Sequence, residues 1–222
     1  IIGSALLNIF SYFFSSSIAL SQSGAVLADQ NKYPDYYESV SAMARDYDLP
    51  MPKLYVINDP SPNAFATGRN AKNASVAVTT GLLAMLGKAE LEGVLAQELT
   101  HIKNKDMLVM TTVVVMSGVL TMFAHIGLNS AISSRGSDRD NGSAGLALVI
   151  GLIASIVLPL AATIVQMTIS RKREFMADAG AGLLTGHPEA LASALAKIGG
   201  YTQPLQRASE STAHLYISCP FG

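Results

Sequence analysis

Apolar and polar positions along this chain are distributed on two length scales. Three long, predominantly apolar stretches carry no formal charge: Ile1 to Leu20, Met107 to Ser134 and Asn141 to Ser170. A helix needs about 20 predominantly apolar residues to cross a bilayer, so each stretch is predicted to be a membrane span. Pro159 falls inside the last and is expected to kink it, which membrane helices tolerate. The expected organisation is a transmembrane helix over 1–28, entered partway along and so belonging to a fragment. A polar part over 29–106 follows, then a transmembrane hairpin over 107–170 with a loop at 131–143, and a second polar part over 171–222. Reading the three stretches as core helices of a soluble protein fails for lack of polar sequence to wrap them.

In the polar parts the periods are shorter. Tyr33 to Asp48 carries Tyr37, Val40, Met43, Ala44 and Tyr47 at helical spacing, and LPMP then breaks the run. KLYVI (Lys53 to Ile57) and SVAVTT (Ser75 to Thr80) read as short strands, with NAFATG between them. Helices are predicted over Gly81 to Gly87, Ala89 to Lys105, Arg171 to Leu184 and Pro188 to Lys197, the last with proline near its start. HLYIS near the end reads as a further strand. The picture is an α-rich α+β membrane protein with a small β-sheet.

Composition supports it. Half of the 222 residues are hydrophobic and 14% are charged; mean hydropathy is +0.34. A net charge of -1 and the absence of a long basic run argue against nucleic acid as a partner. The single cysteine, Cys219, excludes an internal disulfide. Lys88, Lys103 and Lys105 precede the second span, and Arg171, Lys172 and Arg173 follow the third. That bias puts both polar parts in the cytoplasm, on one side of a lipid bilayer.

The candidate chemistry lies in Gln97-Glu98-Leu99-Thr100-His101. Zinc peptidases carry H-E-x-x-H on a helix, because residues i and i+4 share a face and grip one ion. The glutamate after the first ligand is placed to take a proton from the attacking water, whose pKa zinc lowers towards about 7. Here Glu98 and His101 are present and Gln97 stands in the first position. On its own the pattern suits many solvated helix faces. A second segment, SRKREFMAD, sets Glu174 and Asp178 one turn apart on another helix. Such a pair can supply a third ligand and a carboxylate that orients a ligand.

Through these and further segments the chain resembles the HtpX family of bacterial membrane-bound metalloproteases, relatives of the CAAX prenyl endopeptidases. NIFSYFFS, LPMPKLYVI, PNAFATGRN, VAVTTGLL, ELEGVLAQELTHIKNKD, SRKREFMAD and TAHLYI carry the resemblance, in order along the whole chain. It implies a zincin-type metalloprotease domain fused to transmembrane helices, holding one Zn2+. The implied function is cleavage of damaged or misfolded membrane proteins from the cytoplasmic side of the inner membrane. By the same resemblance Glu98 is the catalytic base, His101 and Glu174 are zinc ligands, and Asp178 supports them. Asn63, Ala64 and Phe65 would bind extended substrate through an edge strand beside the cleft.

The resemblance also implies histidine where this chain has Gln97, and a further segment beyond Gly222 bearing a His-Pro and an arginine. An amide oxygen is a poorer zinc ligand than imidazole, so weakened zinc binding is expected. The competing reading is a catalytically inactive relative that binds unfolded membrane-protein segments. A channel or transporter ranks behind both, because His125 is the one ionisable residue inside the predicted spans. His187 reads as a turn residue, and His214 as a distant candidate for a substitute ligand.

Overall fold

The computed structural model describes residues 16–106, 171–207 and 215–221. The chain divides into two compact units, 1–108 with 173–222, and 109–172. The described residues belong almost wholly to the first. The hairpin predicted over 107–170, with its 131–143 loop, lies wholly outside them, as do His125, His214 and the first fifteen residues of the predicted span 1–28. Among the described residues no helix is long and apolar enough to cross a membrane.

A helix over 16–22 (α1) stops at Ser23–Gly24, and Ala25–Leu27 forms a strand, β1. This corrects the boundary placed at 28. Gly24 takes a φ of +69°, a left-handed turn that glycine adopts without strain, and the apolar AVL beyond it pairs antiparallel with Tyr55, Val56 and Ile57.

Helix α2 covers Pro34–Asp46, with proline in its first turn, Asp35 at the positive end and Arg45 at the negative end. Strand β2 is Lys53–Ile57, β3 is Ala64–Thr67 and β4 is Ser75–Thr79. Helix α3 follows as Thr80–Met85, α4 as Lys88–Lys103, α5 over 171–185 and α6 as Pro188–Gly199. The sheet order is β1-β2-β4-β3. Strands β2 and β4 run parallel, while β1 and β3 pair antiparallel on either side. The central β4 is buried at every position, as its β-branched run SVAVT requires. The result is a small mixed sheet with helices, as the sequence pattern predicts.

Strand β3 forms within NAFATG, which propensity alone does not mark as a strand. The described part of HLYIS is not a strand: 215–218 is irregular, and its backbone hydrogen bond to the sheet is Ile217 N–H donating to Ala64 C=O at 3.0 Å. A side chain takes over the work of the ladder there. Asn63 donates through Nδ2 to Ser218 C=O at 3.0 Å and accepts Ser218 N–H through Oδ1 at 3.2 Å.

The main core lies between the sheet, α2 and α4. Val40, Leu54, Val76, Val78, Leu82, Leu95 and Leu99 are all at most 1% exposed. Helix α4 is its axis, packing against α6, α2 and β3. That surrounding explains why α4 is buried nearly all round rather than along one stripe. Its N-terminus is fixed by Glu90, which accepts Gly87 N–H at 3.0 Å and receives Ser193 and Lys197 of α6 at 2.6 and 2.7 Å.

Candidate active site

Gln97, Glu98 and His101 lie in the second half of α4, and Gln97 and His101 share a face one turn apart. Helix α5 crosses that face with Glu174 and Asp178, also one turn apart. The two helices form an antiparallel ladder. His101 Nε2 is 3.5 Å from Glu174 Oε2, and Gln97 Nε2 donates to Asp178 Oδ1 at 2.9 Å. The five residues predicted from the two motifs therefore meet, although 73 residues separate His101 from Glu174 along the chain.

Both polar residues that begin the motif are deeply buried, Gln97 and Glu98 at 4% exposure each. Burial pushes the Glu98 carboxyl up to about 7. The positive imidazole of His101 and a hydrogen bond from Ala66 N–H of β3 pull it back, and Glu174 adds to the rise. A carboxyl near 7 suits a group that must both take and release a proton at neutral pH.

For His101, burial opposes the charged form, but carboxylates on both ring nitrogens overcome it. Asp106 Oδ2 sits 2.7 Å from Nδ1 and Glu174 faces Nε2; together with Glu98 they raise the imidazole to about 10. Glu174 is lowered in turn, chiefly by its bond to His101. Asp178 is raised by burial and by the neighbouring Glu174 charge.

Two contributors escaped the sequence reading. Asp106 lies just past the end of α4 and is 5% exposed. Lys105 adopts a φ of +58°, and this left-handed residue folds the chain back so that Asp106 reaches His101. An acid beyond a helix C-terminus opposes the helix dipole, and that oddity was the available signal. The Asp106 carbonyl also accepts Arg173 Nη1 at 3.1 Å, tying the end of α4 to α5. The second is Tyr47, whose hydroxyl lies 2.9 Å from Thr100 Oγ1 on α4 and 2.7 Å from Gly180 C=O on α5.

Asn63, Ala64 and Phe65 stand on and beside β3, each at most 2% exposed. Their side chains are engaged internally: Asn63 holds Ser218, and Phe65 packs edge-on against Tyr216 with ring centres 4.9 Å apart. The strand's backbone is what faces α4, through the Ala66 N–H bond to Glu98. His187 is an exposed residue before α6, 3.1 Å from Glu189, as a turn residue should be.

Among the described residues no group of three or more His, Cys, Asp and Glu side chains is arranged to hold a metal ion. Gln97, an amide, occupies the first position of the motif. Yet the amide is suggestive, because Gln97 Oε1 is buried without a hydrogen-bond partner. A buried acceptor left unsatisfied is rare in native structures. With His101 Nε2, Glu174 Oε2 and Gln97 Oε1, the residues present fit a divalent metal as one nitrogen and two oxygen donors.

The family model described as Peptidase family M48 matches residues 31–218. A protein named Protease HtpX homolog, from Campylobacter concisus (strain 13826), is 46% identical over 218 residues, covering 97% of this chain and 75% of its own. Another of the same name, from Caldanaerobacter subterraneus subsp. tengcongensis, is 45% identical over 221 residues, covering 98% of this chain and 74% of its own. In fold, the crystal structure of S. mikatae Ste24p matches with a TM-score of 0.62 at 20% identity, over 89% of this chain and half of that one.

Proposed function

This chain belongs to peptidase family M48, and on that premise we propose that it is an HtpX-like zinc endopeptidase acting on damaged or misfolded membrane proteins. The carrying observation is the 3.5 Å approach of His101 Nε2 to Glu174 Oε2, with Glu98 buried beside them. A metal at this site supplies Lewis-acid polarisation of water and of the scissile carbonyl. His101 and Glu174 would hold it, with Asp106 beside His101 Nδ1 turning the ring so that Nε2 faces Glu174 and the metal position. Glu98 is the general base, receiving the proton on its carboxylate and passing it to the leaving amine.

Strand β3 is the proposed substrate edge. Ala64 C=O and Ala66 N–H both point away from β4, and an extended peptide would take these groups from Ile217 and Glu98. The placement proposed for the protein is a multi-pass one in a bacterial inner membrane, with the cleft facing the cytoplasm. Its support is the apolar runs that follow α4 and precede α5 in the sequence, and the Lys and Arg residues at their ends.

Gln97 favours a second reading, a catalytically inactive relative that binds unfolded membrane-protein segments along β3. Zinc content and peptide cleavage, compared for this chain, Glu98→Gln and Gln97→His, separate the two. Cleavage that needs zinc and disappears in Glu98→Gln supports the protease. Substrate binding with no cleavage in any of the three, unchanged in Glu98→Gln, supports the binding protein and overturns the protease reading.

A further inference from the structure

We propose that Asp178 turns the Gln97 amide so that its oxygen becomes a metal donor, giving a site of one nitrogen and two oxygens. The inference rests on the metal-site reading above and assigns roles that the motif alone does not. A glutamine amide can face either way, and its two ends are chemically opposite. An ionised carboxylate only accepts, so Asp178 Oδ1, 2.9 Å from Gln97 Nε2, selects one orientation. That choice leaves Oε1 as the free end. It is buried on a residue 4% exposed, with no hydrogen-bond partner.

An imidazole in this position would donate one N–H to Asp178 and present a nitrogen lone pair with the other. The Gln97 amide reproduces both functions with NH2 and carbonyl. The ladder between α4 and α5 thus has one donor on each side of its first rung, His101 and Glu174. Its second rung is a donor with its orienting carboxylate, Gln97 and Asp178. Replacing a nitrogen donor by an amide oxygen makes the site harder, since carbonyl and carboxylate ligands suit manganese and imidazole suits zinc. The consequence is a site that discriminates between zinc and manganese less than its histidine variant does.

The test is chelator competition for zinc and manganese on the full chain, with the visible spectrum of the cobalt-loaded protein as a second readout. The variants are Gln97→Leu, Gln97→His, Asp178→Ala, Asp178→Asn, His101→Ala and the double variant Gln97→Leu/Asp178→Ala. We expect Gln97→Leu to weaken zinc at least tenfold and Asp178→Ala to weaken it about 10–100-fold. Adding Asp178→Ala to Gln97→Leu should cost nothing further, because Asp178 acts through the amide. Asp178→Asn preserves size but can donate, which lets the amide reverse, so it should also weaken zinc. Gln97→His should tighten zinc at least tenfold more than manganese and shift the cobalt spectrum.

Unchanged zinc affinity in Gln97→Leu, with binding lost in His101→Ala, overturns the role of Gln97 and leaves the metal site standing. Binding by Gln97→His alone does the same. Absence of binding in every form overturns the metal site and this inference together. Additive losses from Gln97→Leu and Asp178→Ala would show that Asp178 acts independently of the amide.

Discussion

Asp106 Oδ2 lies 2.7 Å from Nδ1 of His101, five residues earlier in the chain and on the far side of a left-handed turn at Lys105. The contact fixes which nitrogen of His101 faces Glu174. It also makes the end of α4 part of the site rather than a mere exit towards residue 107.

Removing that carboxylate should be visible without any metal. In Asp106→Ala the imidazole keeps Glu174 and Glu98 but loses the carboxylate on Nδ1, so its pKa should fall below about 10. The imidazole nitrogen shifts of His101, followed by NMR across pH in the metal-free protein, report this directly. An unchanged titration would mean that Asp106 does not hold the ring in solution. Metal affinity is expected to drop about 10–100-fold in the same variant.

The crossing of α4 and α5 depends on a glycine. A Cβ at Gly180 would lie 2.5 Å from Thr100 Cγ2 and 3.2 Å from the Tyr47 hydroxyl. Gly180→Ala should therefore destabilise the fold by about 1–3 kcal/mol, lowering Tm by roughly 2–10 °C. Gly199→Ala serves as the control, since nothing lies within 4 Å of its Cβ. It should be neutral or raise stability by up to about 1 kcal/mol. Equal Tm values for the two variants would contradict the close approach.

Glu90 gives a pH signature away from the site. Hydrogen bonds from Lys197, Ser193 and Gly87 N–H lower its carboxyl from 4.5 to about 2. A lowered carboxyl stabilises the fold fully above its unfolded value and loses that contribution as pH falls through about 2. The stability gap between wild type and Glu90→Gln should be constant above about pH 5 and close between about pH 4.5 and 2. Lys197 is half exposed, so the gap is at most about 1 kcal/mol. Denaturant unfolding at a series of pH values measures it; a gap that persists at pH 2 would rule this account out.

Asn63 is expected to act as a clamp. Asn63→Ala removes both hydrogen bonds to Ser218 and the local one to Ala64 N–H. Residues 215–218 should then become sensitive to limited proteolysis, with a stability loss of about 1–3 kcal/mol. Protease resistance equal to wild type would place the hold on this segment elsewhere, for example on the Phe65–Tyr216 contact.

Much of this protein is determined by local sequence. KLYVI and SVAVT become strands because β-branched residues recur in short runs. The i, i+4 spacing of Gln97 with His101, and of Glu174 with Asp178, places each pair on one helix face wherever the helix lies. Periodicity and spacing are properties of neighbours in the chain, so they are legible without a fold.

Tertiary structure decided what spacing cannot carry. The helix predicted to run to residue 28 gives way to β1 because Ala25–Leu27 finds a partner in β2. NAFATG becomes the edge strand β3 by pairing with β4, while HLYIS, the better strand former by composition, is held by the Asn63 side chain instead. Asp106 and Tyr47 joined the site only when a left-handed turn and a helix crossing brought them there. The orientation of the Gln97 amide depends on a carboxylate 81 residues away. Hydrogen-bond partners are set by proximity in space, and proximity between distant segments is the part of the structure that no local pattern encodes.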